Sequence, residues 1–86
     1  MPELCRFYGI IIQMFYDDHA PPHFHAKYAG KKISINIRDL SIQKGSLPGR
    51  ALGLVMEWAS QHQDELMTAW EKAVKREELD KIDPLP

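Results

Sequence analysis

The spacing of apolar positions changes period once, near Gly45. Before it, β-branched and aromatic residues alternate with polar ones, as in strands; after it, apolar residues recur at steps of three and four, as on a helix. The first strand is read from Arg6 to Tyr16. Tyr8, Ile10, Ile12, Met14 and Tyr16 fall on one face, and Phe7, Ile11, Gln13 and Phe15 on the other. Both faces are rather apolar, which predicts a central or doubly covered strand, with Gly9 at a bulge or a close backbone approach. Residues 17–22 make a corner, because Pro21 and Pro22 donate no backbone hydrogen bond and hold their predecessors extended.

Two more strands follow, His23 to Tyr28 and Lys31 to Arg38, with Ala29-Gly30 as a two-residue hairpin turn. Polarity sets their register. A two-residue loop pairs Tyr28 with Lys31, Lys27 with Lys32, Ala26 with Ile33, His25 with Ser34, Phe24 with Ile35 and His23 with Asn36. A one-residue slip would set Phe24 against Ser34 and exchange core and solvent faces. A short fourth strand, Leu40 to Lys44, would pair Ile37 with Leu40 and Ile35 with Ile42. One face of this meander is then Phe24, Ala26, Ile33, Ile35, Ile37, Leu40 and Ile42. The other carries His23, His25, Lys27, Lys32, Ser34, Asn36, Arg38, Ser41 and Gln43.

Past Gly45, Ser46 is the expected N-cap and Pro48 suits a first helical turn. Leu52, Val55, Met56, Ala59, Leu66, Ala69, Trp70, Ala73 and Val74 form one stripe. The stripe keeps its phase through Ser60–Gln63, so a single helix from about Pro48 to Arg76 is expected, with a kink near His62. At ~1.5 Å per residue it would be roughly 43 Å long. The alternative is two helices, the second starting at Gln63 to Glu65. Trp70 is read as core. Trp58 lies off the stripe's centre, so it packs under a sheet edge or is free for a partner. Residues 79–86 carry Leu79, Ile82 and Leu85 and are expected to dock as an extended tail.

The fold class expected is therefore α+β: an antiparallel meander of three to four strands packed against a long C-terminal helix, in a single domain over 1–86. Its parts are a meander over 1–45, a helical part over 46–78 and a tail over 79–86. With 86 residues, 44% hydrophobic and 27% charged, the chain has the composition of one small globular domain. A net charge of −1 excludes a chain-wide basic field for nucleic acid but not a local basic face. Cys5, the single cysteine, has no internal disulfide partner, which fits a reducing cytosol. The longest apolar run, Ile10-Ile11-Ile12, is too short for a membrane span.

The chemistry concentrates in Asp17-Asp18-His19-Ala20-Pro21-Pro22-His23-Phe24-His25, which holds three of the four histidines. If Phe24 points into the core, His23 and His25 point together to the open face. His19, His23 and His25, with Asp17 and Asp18 alongside, have donor types that suit a divalent transition metal, as in a small metal-binding hydrolase. The histidines on one strand face sit about 7 Å apart at the backbone, so their rings must lean together to share an ion. Without metal, His23 and His25 could act as an acid–base pair with Lys32 steadying charge, as in phosphodiester cleavage. Without any reaction, Asp18, His19, His23, His25, Lys27, Lys32, Asn36 and Arg38 form a binding face for an acidic protein or for nucleic-acid phosphates. The bland reading is a solvated outer face, with His19 capping the turn. His62 and the charged residues Glu57, Glu65, Glu71 and Lys72 are read as packing, capping or solvated helix face.

The residues Arg6-Phe7-Tyr8-Gly9-Ile10, then D-H-x-P-P-H-F-H over 18–25, then Leu47-Pro48-x-Arg50-Ala51-Leu52, Glu57-Trp58-Ala59, His62, Trp70 and a closing Lys81-Ile82-x-Pro84-Leu85 form a pattern. In these the chain resembles the small bacterial domain-of-unknown-function family 4160 over nearly its whole length. The resemblance carries over no established activity. It implies one component of a toxin–antitoxin-like gene pair, hence a cognate small protein encoded nearby and a role for RNA or DNA. The regulator label found in the family implies nucleic-acid binding, though no helix-turn-helix is visible here. The length of the amphipathic helix, with Trp58 to spare, also suggests a homodimer.

Overall fold

A computed structural model describes residues 2–16 and 18–86. Five strands, β1 (Glu3–Phe7), β2 (Ile10–Gln13), β3 (His23–Tyr28), β4 (Lys31–Asn36) and β5 (Ile42–Gly45), precede two helices, α1 (Gly49–Gln61) and α2 (Gln63–Val74). The strands form one antiparallel sheet in the order β1-β2-β3-β4-β5. The class is α+β as expected, with five strands where three to four were read and two helices where one was read.

The extra strand comes from Tyr8-Gly9. Both residues have positive φ, 50° and 80°, the same pattern as Ala29 and Gly30 at 49° and 80°. Two successive positive φ values make the type I′ turn whose twist matches a hairpin. What was read as one strand from Arg6 to Tyr16 is thus a hairpin, and Gly9 is a turn residue rather than a bulge. The turn pairs Phe7 with Ile10 and so puts them on one face, where an unbroken strand would have separated them. The β3–β4 ladder has the expected register at all six pairs, from His23–Asn36 to Tyr28–Lys31.

β5 is shorter than read. Its Ile42 pairs with Ile35 as expected, but the register then shifts and Lys44 pairs with Ser34, so Gln43 is the extra residue of a bulge. Leu40 stays outside the ladder, held in a turn by its N–H to the Asn36 carbonyl (2.9 Å).

The single long helix is also corrected. His62 leaves helical geometry at φ −131°, ψ 22°. Its carbonyl takes the Leu66 N–H (2.8 Å) and its ring meets the Glu65 carboxylate (2.6 Å), so it starts a new helix. Asp64 and Glu65 in the first turn suit the positive end of that helix. The Gln63 amide donates to the Ile37 carbonyl (2.8 Å) and clamps α2 to the end of the sheet. The break keeps the helical part within a molecule whose longest extent is 33 Å, where an unbroken rod would run to roughly 43 Å. The α1 N-cap is Pro48, not Ser46.

The covered sheet face (Phe7, Ile10, Ile12, Phe24, Ala26, Ile33, Ile35) packs with the helices into one core. Trp58 is at its centre, fully buried, against Phe7 (5.6 Å between ring centroids) and Phe24 (6.0 Å). It reaches under the edge strand β1 through Phe7, as one of the two expectations had it, and is not free for a partner. Full burial of side chains of this size stabilises by about 1.5–3 kcal/mol each. The segment after α2 lies on this core through Ile82 and Leu85, with the Ile82 N–H on the Leu4 carbonyl (3.0 Å) and the Trp58 indole N–H on the Asp83 carbonyl (2.8 Å). Among the described residues, no helix is long and apolar enough to cross a membrane.

Candidate functional site

Alternation along β3 sends Phe24 into the core and leaves His23 and His25 together on the opposite face, their ring centroids 5.0 Å apart. The proline corner, with a cis Ala20–Pro21 bond, returns the chain above them. That return places Asp18 over both rings: its Oδ2 lies 2.9 Å from His23 Nε2 and 3.0 Å from His25 Nε2. The other nitrogen of each ring is held from behind. His23 Nδ1–H donates to the Pro21 carbonyl (2.8 Å), and His25 Nδ1 meets the Ser34 hydroxyl (3.3 Å). Asp18 Oδ1 accepts the His19 backbone N–H at 2.9 Å.

Burial alone would raise the Asp18 pKa. The contact with His25, the His19 N–H and the two imidazoles outweigh it and hold the carboxyl below its ordinary value. The rings are not equally open. His23 is only 4% exposed and sits against the Trp70 indole at 5.2 Å, whereas His25 is half-buried against Phe15 at 4.4 Å. The expectation that both rings stand on open ground is therefore corrected for His23, because α2 covers the start of β3. An acid–base pair of His23 and His25 is not presented to solvent as a pair.

Of the residues read from sequence, Asp18, His23 and His25 converge. His19 is exposed and contributes its backbone to Asp18, and its ring is not part of the group. Asp17 lies outside the described residues. Lys27 and Lys32 are directly paired and, with His25, Gln13, Phe15 and Ala26, line a cavity of about 220 Å³ on the open face. Arg38 lies elsewhere, beside Pro22 and Trp70. Asn36, paired with His23, donates to Ser41 (2.9 Å) while its Oδ1 is buried without a partner among the described residues.

Sequence reasoning missed three parts. Trp70 was read as core without its contact to His23. Phe15 was not linked to His25. Lys44 reaches the open face only through the Gln43 bulge. The Ser34 support to His25 was legible, since the predicted register places the two side by side.

The fold and its site define a small α+β domain with two histidines and one aspartate gathered at the start of a strand, beside a lysine-lined sheet face. The chain belongs to the family described as Domain of unknown function (DUF4160), whose profile matches residues 9–71. No curated protein and no solved structure matches it.

Proposed function

We propose that this chain is a cytosolic interaction module, one component of a toxin–antitoxin-like pair, which receives the acidic surface of a cognate small protein on the open face of its sheet. The supporting observation is Lys27 directly opposite Lys32, with Lys44 one strand further on. None of the three has an ion-pair partner among the described residues. Like charges paired across strands are destabilising, by up to about 1 kcal/mol. Carboxylates from a partner would reverse that sign. The adjoining edge strand β5 is exposed along its whole length, with Ile42 48% exposed, so it offers backbone groups and one apolar contact beside the lysines.

A protein partner fits better than nucleic acid. The cations are few, the net charge is −1, and Phe24 is in the core rather than on the face as a stacking surface. The test is binding to the product of the neighbouring gene. Lys27→Glu with Lys32→Glu should weaken it by about tenfold or more, and added salt should weaken the parent complex. Unchanged affinity in the double variant would remove this face as the contact.

A further inference from the structure

We infer that Asp18, His23 and His25 bind one divalent transition-metal ion, through the carboxylate and both Nε2 atoms, with a coordination position left open to solvent. This goes beyond the interaction reading and does not depend on it.

The argument begins with the direction of the rings. A metal-binding histidine characteristically donates its second N–H to a carbonyl or another oxygen, which fixes the tautomer and aims the free nitrogen. His23 shows this arrangement, with Nδ1 on the Pro21 carbonyl at 2.8 Å, and His25 Nδ1 has an oxygen in the matching place, Ser34 Oγ at 3.3 Å. Both Nε2 atoms consequently aim at the same oxygen of Asp18.

The electrostatics then favour something positive between the His23 ring and the carboxylate. The Pro21 carbonyl only accepts, so the hydrogen of a neutral His23 ring is on Nδ1. Its Nε2 is then a lone pair, 2.9 Å from a carboxylate oxygen that is also an acceptor. A second proton on His23 would relieve that one contact. A metal ion would satisfy all three donor atoms at once.

The dimensions fit. The three donor atoms lie within 4.8 Å of one another. With ligand bonds of about 2.1 Å and tetrahedral angles, neighbouring donors stand about 3.4 Å apart. Asp18 needs to retreat by roughly half an ångström, and the two Nε2 atoms need to settle at the same ~3.4 Å separation from one another. Two imidazoles and a carboxylate suit zinc, cobalt, nickel or iron(II) better than calcium or magnesium, which prefer all-oxygen sites. Three protein ligands are also the number found where zinc keeps an open position. That position faces the Asp18 and His25 side, since those side chains are 22% and 23% exposed against 5% for His23. His25 is shared with the cavity of Lys27 and Lys32, so an anion is the natural fourth ligand.

The test uses the full chain without an affinity tag, titrated with Co(II) alone. Uptake of one equivalent per chain is expected, with visible absorption bands of a four- or five-coordinate nitrogen–oxygen site that Zn(II) abolishes. Asp18→Asn and His25→Ala should each weaken uptake by about a hundredfold, and Ser34→Ala by about tenfold. His19→Ala, one residue from the site but exposed, should leave it unchanged. If the ligand variants do not fold, ring ¹⁵N spectra of the parent chain decide: zinc must shift Nε2 of His23 and His25 and leave His19 and His62 in place. The inference is overturned by the absence of stoichiometric uptake, by uptake that survives both ligand substitutions, or by equal dependence on His19. It is also overturned by a His23 ring that stays protonated on both nitrogens in excess zinc.

Discussion

The molecule places a histidine against an indole twice, each time with a carboxylate at hand. His62 lies 5.2 Å from Trp58 and 2.6 Å from Glu65; His23 lies 5.2 Å from Trp70 and 2.9 Å from Asp18. The partners differ in origin. Glu65 is three residues from His62, its side chain is 53% exposed, and the pair marks where α2 starts. Asp18 reaches His23 from a separate corner and takes a second imidazole on the same oxygen. A histidine–carboxylate contact by itself is a joint between elements. It becomes a candidate site when a second ring converges on it and solvent reaches one side.

The indoles give the largest test of that contrast. Trp58→Ala should destabilise by about 3–5 kcal/mol, because it empties the centre of the core and frees Phe7 and Phe24. Denaturant unfolding should show it, along with a midpoint temperature lower by at least ~12 °C. Trp70 is 7% exposed and touches the site, so Trp70→Ala should destabilise less and also uncover His23. Equal destabilisation with no change at His23, read from its ring resonances, would mean that Trp70 is only packing.

The two histidines come next. His23→Ala removes a buried ring packed on Trp70 and takes the donor from the Pro21 carbonyl, a loss of about 2–3 kcal/mol. His62→Ala removes a half-buried ring whose carboxylate partner is in water, a loss below about 1 kcal/mol. Similar losses at both positions would erase the distinction between joint and site.

How far the sequence carries this contrast depends on which physical signal each part leaves. The β3–β4 register is legible because one face is uniformly apolar, so any slip exposes isoleucines to water. The approach of His23 to His25 follows from that register, given Phe24 between them. The Tyr8-Gly9 turn is hidden because tyrosine is a poor marker of positive φ and apolar residues flank it on both sides. The break at His62 is hidden because the apolar stripe keeps its phase through it; only molecular size and the acidic first turn after it point to two helices. Asp18 was placed near the histidines by position, but its seat on both Nε2 atoms depends on how the corner folds back, and no periodicity encodes that.

Asp18 also distinguishes the sites by pH. Its folded pKa lies below its unfolded value, so the unfolded chain binds the proton more readily. The stability it supplies is therefore full above its unfolded pKa of about 3.9 and drains as pH falls through the lower folded value. In the parent chain, stability should fall more steeply below about pH 4 than in Asp18→Asn, which lacks that group. Parallel acid-unfolding curves for the two would show that the carboxylate is not held by the rings.

The smallest effect is the coupling within the local pair. Glu65 and His62 can be replaced by alanine singly and together, and the interaction energy read from the four stabilities. A pair this exposed on its acid side should give only a few tenths of a kcal/mol, screened further by salt. The same cycle on Asp18 and His25 should give more, because those side chains are 22% and 23% exposed and the aspartate serves two rings. The ordering matters more than either value. If the helix-start pair proved the stronger, burial and convergence would not be what sets the strand site apart, and the reason for treating Asp18, His23 and His25 as a unit would go with them.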